Sequence, residues 1–205
     1  MTSIVVIGAG SWGCAIATAL LRADQQTQKI IVFARTQESV NALGEGRCLH
    51  LPNTTPAMSI TATTDPACLE DASLIFIAVP VVANQESLIM IGNQQRSQQL
   101  ATIVLCAKGI SKTDNDCPML LPELATYLLP ANPLAVFSGP SFADEVFAGL
   151  PAALVTASHN SATVNQIQDA FDGSNLRLYS NDDPIGVSLA GAMKNVIAIA
   201  AGCAV

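Results

Sequence analysis

The feature that most constrains this chain is a glycine-rich turn near its start. A short β-branched run, residues 3–7, leads directly into the sequence GAGSWG at positions 8–13, and a segment with helical periodicity, 11–23, follows at once. In such a strand–turn–helix unit, one glycine permits a tight turn, one lets a pyrophosphate approach the backbone, and one lets the helix pack on the strand. The N–H groups and positive dipole end of the helix attract an anion. The pattern therefore predicts a dinucleotide site around Gly8, Gly10 and Gly13.

Apolar runs alternate with helical patterns along the rest of the chain. The run SLIFIAV at 73–79 is continuously apolar, as expected for a central parallel strand that is covered on both faces. Strands are predicted at 3–7, 29–34, 58–61, 73–79, 102–107, 134–137, 153–157 and 177–179, and helices at 11–23, 82–95, 117–128, 142–147 and 161–171. This order predicts an α/β fold, a Rossmann-type doubly wound sheet that is mostly parallel.

Composition excludes several classes of protein. Half of the 205 residues are hydrophobic, so a large core can form, whereas a net charge of −7 with only nine Lys and Arg residues disfavours nucleic acid and anionic membranes as partners. Six cysteines without a C-x-x-C pair favour free thiols in a reducing cytoplasm over disulfides. With two histidines and no Cys/His cluster, no metal site is expected.

Residues 182–205 predict one long helix that is apolar almost all round. Asp182 and Asp183 offer an N-cap and Pro184 suits a first helical turn, after which the sequence is apolar almost all round with one charge, Lys194. Such a helix is expected to be buried on every side. A charge at its middle disfavours the alternative of a membrane span. We therefore expect a nucleotide-binding domain at 1–181 and the start of a helical domain at 182–205, whose cover is either further chain or a partner chain.

The second strand ends in a cation where NAD-specific sites usually carry an acid. Arg35 follows this strand, and no acidic residue occurs until Glu38. Because an arginine pairs with a 2′-phosphate and stacks on adenine, NADPH is allowed and favoured. The alternative is a solvated arginine at a strand end.

Two lysines are the candidate chemical groups, since His50 and His159 lie in ordinary loop sequence. Lys108 follows a predicted strand, at the edge where open α/β sheets bind ligands. Lys194 has small residues on its helix face, and a lysine that is buried or close to another has a lowered pKa, which suits proton transfer. The alternative for Lys194 is a side chain that reaches the surface. At the start of the 142–147 helix, Ser141 is predicted as an N-cap.

Five motifs in order carry a family resemblance: GAGSWG, SLIFIAVP, Lys108-Gly109-Ile110, GPSFADEV at 139–146 and GAMKNVIAIAAG at 191–202. Across essentially all 205 residues the chain resembles bacterial NAD(P)-dependent glycerol-3-phosphate dehydrogenase. The resemblance implies reversible hydride transfer between NADPH or NADH and dihydroxyacetone phosphate, giving sn-glycerol 3-phosphate for phospholipid synthesis. Separately, the apolar helix that needs a cover favours a homodimer, and the cysteine pattern favours a cytoplasmic protein. GPSFADEV disfavours the alternative of a sugar-nucleotide or ketopantoate-type reductase.

The resemblance also implies residue roles. Lys194 is the expected proton donor and acceptor, with Lys108 beside it as the second catalytic residue. The expected cofactor contacts are Ser11, Trp12, Arg35, Lys108 and Ala143, with Pro80 near the nicotinamide. The expected substrate contacts are Lys108, Gly139, Ser141 and Lys194, with Asn195 nearby.

Two departures from the family pattern qualify these expectations. The loop 47–52 has no Tyr before Leu51 and Pro52, which affects packing at the cofactor edge. The family's Asp and Arg-Asn pair, which complete the substrate site in the helical domain, lie beyond the matched segment. A nucleotide-binding module without turnover is therefore the alternative for this 205-residue form.

Overall fold

The computed structural model describes residues 3–23, 28–54, 58–95, 100–112 and 117–204. Its strands are β1 Ser3–Ile7, β2 Lys29–Phe33, β3 Ala62–Thr63, β4 Ala72–Ile77, β5 Thr102–Leu105, β6 Ile110–Lys112, β7 Pro118–Leu120, β8 Leu134–Ser138, β9 Ala152–Ala157 and β10 Leu176–Asn181. An eight-stranded sheet forms the centre, in the order β10-β9-β8-β5-β4-β1-β2-β3. All neighbouring pairs in this sheet are parallel except β8 with β9. The predicted fold class, a mostly parallel doubly wound sheet, is confirmed.

Helices cover both faces of the sheet. They are α1 Ser11–Leu21, α2 Gln37–Gly44, α3 Asn84–Gln94, α4 Leu121–Leu128, α5 Ala143–Ala148, α6 Ser161–Ala170 and α7 Pro184–Cys203. Alternate residues of β4 enter different cores: Phe76 packs on the side of α1, α5 and α6, whereas Ile75 and Ile77 pack on the side of α3 and α4. Because side chains alternate across a strand, burial on both faces explains why this strand is apolar from Leu74 to Ile77.

Two predicted elements start four residues later in the structure, and the helix α2 and the β6–β7 hairpin were not predicted. The third strand begins at Ala62 rather than residue 58, because Ile60 is buried against the end of α2, where its N–H donates to the carbonyl of Leu43 at 2.9 Å. The helix predicted from 117 begins at Leu121, since the three preceding residues pair with β6 as a hairpin. The helix α2 follows Thr36, whose Oγ1 accepts the N–H of Ser39.

The helix α7 begins as predicted, and most of its surface is exposed. The carboxylate of Asp183 accepts the N–H of Gly186 at 2.7 Å, as an N-cap does. Of the helix residues, Pro184 and Ser188 alone are buried, so residues 3–204 as described do not supply the cover that is expected for this helix. The helix contacts β7, β8, β9 and α4, and every residue from Met193 to Ala204 is exposed. By length and composition alone, this helix among those described could cross a membrane.

Candidate functional site

The glycine turn has the tight geometry that its sequence predicts. Gly8 has φ = 112°, a conformation that side chains rarely adopt, and a Cβ there would lie 2.7 Å from the carbonyl oxygen of Ala78. A Cβ on Gly13 would lie 1.9 Å from the carbonyl oxygen of Gly8. A Cβ on Gly10, by contrast, would meet nothing within 4 Å. Two of the glycines therefore allow backbone segments to touch, while the third faces open space.

The start of α1 is suited to hold an anion. Cys14 donates its N–H to the carbonyl of Gly10 at 3.0 Å, which is the first hydrogen bond within the helix, so the N–H groups of Ser11, Trp12 and Gly13 precede it. The N-cap Gly10 has no side chain to accept these donors, and the first turn carries no acidic residue. With open space at Gly10, the site fits the pyrophosphate of a dinucleotide.

A buried asparagine, which the sequence analysis missed, holds the neighbouring loop. Asn84 is fully buried at the start of α3, and its Nδ2 donates to the carbonyls of Pro80 at 3.0 Å and Val79 at 3.4 Å. Its Oδ1 has no hydrogen-bond partner among the described residues. Because Ala78 contacts the glycine turn, Asn84 fixes Pro80 relative to the site. In the sequence, Asn84 stands one helical turn before Leu88 and two before Ile91, and this spacing could have indicated that it is buried.

The carboxyl end of β2 adjoins the same turn. Gly8 donates its N–H to the carbonyl of Phe33 at 3.0 Å, and Arg35, two residues further on, is exposed. The loop after α2 lies over the start of α1, where the hydroxyl of Ser11 donates to the carbonyl of His50 at 3.1 Å. The structure thus places Arg35 at the edge of the sheet that holds the glycine turn.

Lys108 lies at the carboxyl ends of β5 and β8, and α7, which carries Lys194, packs close to it. Lys108 donates from Nζ to the carbonyl of Gly139 at 2.8 Å. Gly191 lets α7 approach closely, since a Cβ there would lie 3.1 Å from Ser138 Oγ and 3.5 Å from Lys108 Cγ. Lys194 follows one turn later and is exposed. Partial burial lowers the pKa of Lys108 below its ordinary value, and the ammonium of Lys194 lowers it further.

The lysine group is joined to the glycine turn by a series of close contacts. A Cβ on Gly109, next to Lys108, would lie 2.7 Å from a methyl of Val81. Val81 follows Pro80, whose loop touches Gly8 through Ala78. The glycine turn, the loop 78–81 and Lys108 therefore adjoin one another at the carboxyl edge of the sheet, where open α/β sheets bind ligands.

The helix α5 begins one residue later than predicted. Its N-cap is Phe142, which makes no side-chain cap, so the prediction of Ser141 as N-cap is wrong. The reason lies in the backbone, because Val146 donates to the carbonyl of Phe142 as the first helical hydrogen bond. The exposed ring of Phe142 instead faces Lys194, with Nζ 6.0 Å from its centre. Ser141 is half-buried just before this ring, and Ala143 is the first residue of α5.

Asn195 and the thiols complete the inventory of predicted residues. Asn195 is exposed on α7, roughly 100° around the helix from Lys194. No disulfide joins the six cysteines, all of which lie within the described ranges; Cys14, Cys48 and Cys106 are buried, Cys68 is half-buried, and Cys117 and Cys203 are exposed. Within the described ranges, no group of three or more His, Cys, Asp or Glu side chains could hold a metal ion.

A mostly parallel sheet whose first strand leads through a glycine turn into an uncapped helix defines a dinucleotide-binding domain of the Rossmann class. Comparison with known proteins agrees. Residues 3–164 match the sequence model of the family described as "NAD-dependent glycerol-3-phosphate dehydrogenase N-terminus". The chain therefore belongs to this family of nicotinamide-dinucleotide-dependent dehydrogenases.

Individual relatives carry the same name. The glycerol-3-phosphate dehydrogenase [NAD(P)+] of Mesorhizobium japonicum is 40% identical over 200 residues, which are 97% of this chain and 56% of that protein. The protein of the same name from Chelativorans is 38% identical over 98% of this chain and 60% of its own length. The crystal structure of glycerol-3-phosphate dehydrogenase from Coxiella burnetii superposes with a TM-score of 0.84 at 36% identity, covering 98% of this chain and 60% of that one. The chain thus spans 56–60% of these three relatives.

Proposed function

We propose that the protein carrying this sequence catalyses reversible hydride transfer between NAD(P)H and dihydroxyacetone phosphate, giving sn-glycerol 3-phosphate for phospholipid synthesis. The observation that supports this most is the pairing of Lys108 and Lys194 beside Gly139, on the same sheet edge as the glycine turn. Two cations next to a nucleotide site suit a small substrate that carries a phosphate and a carbonyl oxygen.

We propose that the cofactor is held by the start of α1 and the surrounding loops. The N–H groups of Ser11 and Trp12 bind the pyrophosphate, and the guanidinium of Arg35 binds the 2′-phosphate, so NADPH binds more tightly than NADH. Pro80, Lys108 and Ala143 line the remaining path towards the reacting carbon. When bound, the nicotinamide supplies the hydride, and this chain supplies binding and the proton.

Lys194 is proposed as the proton donor in reduction and the acceptor in oxidation. Its ammonium gives a proton to the substrate oxygen as negative charge develops there. Lys108, fixed by its hydrogen bond to the Gly139 carbonyl, stabilises the same oxygen. Gly139, Ser141 and Asn195 are proposed to contact the rest of the substrate.

The test is a lysine exchange in the complete polypeptide that carries this sequence. Lys194→Ala should lower kcat for reduction of dihydroxyacetone phosphate by about 10²–10⁴-fold, the range for general acid catalysis. The dissociation constant for NADPH should stay within about twofold, because Lys194 acts on the substrate. The matched control is Lys29→Ala at the amino end of β2, which should leave kcat unchanged. Normal turnover by Lys194→Ala would refute the assignment, and lost NADPH affinity would move Lys194 to the nucleotide site.

A second function is favoured for the 205-residue chain by itself. Its α7 exposes Val196, Ile197 and Ile199, and the chain spans only 56–60% of its relatives. We propose that 1–181 binds the nucleotide, that 182–205 belongs to a helical domain, and that this chain alone binds NADPH without turnover. Steady oxidation of NADPH with dihydroxyacetone phosphate by the purified chain would contradict this. A homodimeric, cytoplasmic protein is the proposed complete form, and analytical ultracentrifugation tests the dimer.

A further inference from the structure

A glycine lies where α7 makes its closest approach to the proposed lysine pair. Gly191 and Ala192 are half-buried, whereas every α7 residue after them is exposed. At Gly191 the helix passes over the carboxyl end of β8, where a Cβ would lie 3.1 Å from the hydroxyl oxygen of Ser138. The same Cβ would lie 3.5 Å from Cγ of Lys108. The backbone of α7 therefore rests on the strand end and on Lys108 at this residue.

Helix propensity does not account for a glycine at this position. Gly191 lies in the interior of a 20-residue helix, where glycine is the least favourable residue after proline. The residues on either side, Ala190 and Ala192, are of the most favourable type. A methyl group 3.1 Å from Ser138 is tighter than an ordinary van der Waals contact, so the hydroxyl or the helix would have to move by a few tenths of an ångström. The absent side chain therefore serves the close approach of α7, although it disfavours the helix.

This contact lies near Lys194 on a rigid element. Lys194 is three residues after Gly191, so it follows about 4.5 Å further along the helix axis on an adjoining face. The start of the helix is fixed by the side-chain cap of Asp183 and by the burial of Pro184 and Ser188. Because a helix that is held at its start and at Gly191 has a defined direction, these contacts also determine where the backbone of Lys194 lies.

We infer that Gly191 is a positioning residue for the lysine pair: its bare backbone seats α7 against Ser138 and Lys108 and thereby sets the separation of the Lys108 and Lys194 ammonium groups. Burial and, after it, the ammonium of Lys194 lower the pKa of Lys108, which agrees with a short separation. The effect on catalysis rests on the proposed function, in which both ammonium groups act on one substrate oxygen. The seating of the helix does not rest on it.

The experiment measures reduction of dihydroxyacetone phosphate by the complete polypeptide with side chains of increasing size at residue 191. A misplacement of about 1 Å can cost about 10²-fold in rate, so a shift of a few tenths of an ångström in Gly191→Ala should lower kcat about four- to tenfold. Gly191→Val adds a bulkier, stiff side chain against the same contacts and should lower kcat about 10²-fold.

Two controls accompany this series. The NADPH dissociation constant should stay within about twofold in both variants, because the glycine turn is proposed to hold the nucleotide, and unchanged affinity also shows that the variants fold. The matched substitution is Gly44→Ala, which is also helical and whose Cβ would meet nothing within 4 Å; its kcat should equal that of the wild type.

A second substitution separates positioning from a general disturbance of α7. Without the Ser138 hydroxyl, the nearest neighbour of a methyl group at residue 191 is Cγ of Lys108 at 3.5 Å, an ordinary contact. Combining Gly191→Ala with Ser138→Ala should therefore return kcat to within about threefold of the wild type, since residues in contact couple strongly. Ser138→Ala alone should lower kcat less than Gly191→Ala does. A loss that arose in the helix itself would not be restored by removing an atom from β8.

The separation of the two lysines is also measured without turnover. A short bifunctional amine reagent should join Lys108 to Lys194 in the wild type, as peptide mapping by mass spectrometry reports. The yield of this cross-link should be lower in Gly191→Ala and lowest in Gly191→Val, because a displaced α7 carries Lys194 away from Lys108.

Four results would overturn the inference: normal kcat in Gly191→Val, no recovery of kcat when Ser138→Ala is added to Gly191→Ala, no cross-link between the lysines in the wild type, or lost NADPH affinity in Gly191→Ala. The last would assign Gly191 to the fold or the nucleotide site rather than to the lysine pair. A wild type that does not reduce dihydroxyacetone phosphate, but whose cross-link yield depends on residue 191, would refute the proposed function and support the seating of α7.

Discussion

Gly10 and Gly13 of the turn should respond differently to substitution by alanine. A methyl group on Gly13 would lie 1.9 Å from the carbonyl oxygen of Gly8 and 3.0 Å from its carbonyl carbon. Both are backbone atoms of a turn that itself touches Ala78, so no flexible side chain can yield. A methyl group on Gly10 would meet nothing within 4 Å. Gly13→Ala therefore destabilises the fold, whereas Gly10→Ala obstructs a ligand that binds at the turn.

The magnitudes follow from this difference. Overpacking a well-packed site costs about 1–3 kcal/mol, and because the contact at residue 13 is with rigid backbone, Gly13→Ala should reach the upper end, about 3 kcal/mol. Gly10→Ala should change the free energy of unfolding by less than about 1 kcal/mol, the range for an N-cap change. In the ligand-binding assay it should weaken NADPH at least about tenfold, or 1.4 kcal/mol, because its methyl occupies the space for the pyrophosphate.

Urea unfolding without nucleotide and NADPH titration by fluorescence measure the two effects separately. Gly44→Ala is the matched control, since a Cβ there also meets nothing within 4 Å and the residue ends α2; neither stability nor affinity should fall. The reasoning is refuted if Gly13→Ala unfolds at the wild-type urea concentration, or if Gly10→Ala binds NADPH as tightly as the wild type does.

Three further predictions concern charged residues. Arg22 donates to the carbonyls of Val146 at 3.0 Å and Phe147 at 2.8 Å, so Arg22→Met should lower the free energy of unfolding by about 2–3 kcal/mol; a loss under 0.5 kcal/mol in urea would contradict this. Because the pKa of Lys108 is lowered from 10.5 in the folded state, the unfolded chain binds more protons just below pH 10.5, and stability should rise with pH there. Lys108→Met should flatten that rise in urea titrations at successive pH values, and an unchanged slope would exclude Lys108 as its source. Arg35→Ala should weaken NADPH more than NADH in parallel titrations, since NADPH alone carries the 2′-phosphate; equal weakening would limit Arg35 to stacking on adenine.

The sequence by itself determined the features that depend on local conformation and periodicity. Gly8, Gly10 and Gly13 predicted the turn because positive φ and absent Cβ atoms are properties of single residues. The apolar run 73–79 predicted a strand buried on both faces, and alternation of strands with helices predicted the doubly wound sheet. The cap at Asp183 was also local, because its partner Gly186 is three residues away.

Tertiary structure decided what depends on residues distant in sequence. The hydrogen bond from Lys108 to Gly139 and that from Ser11 to His50 join segments through packing that no local pattern encodes. The apolar sequence of α7 correctly predicted a helix, but its exposure depends on what packs against it. Local preferences determine which elements form. The positions of the side chains at the site instead follow from how the sheet aligns the carboxyl ends of its parallel strands.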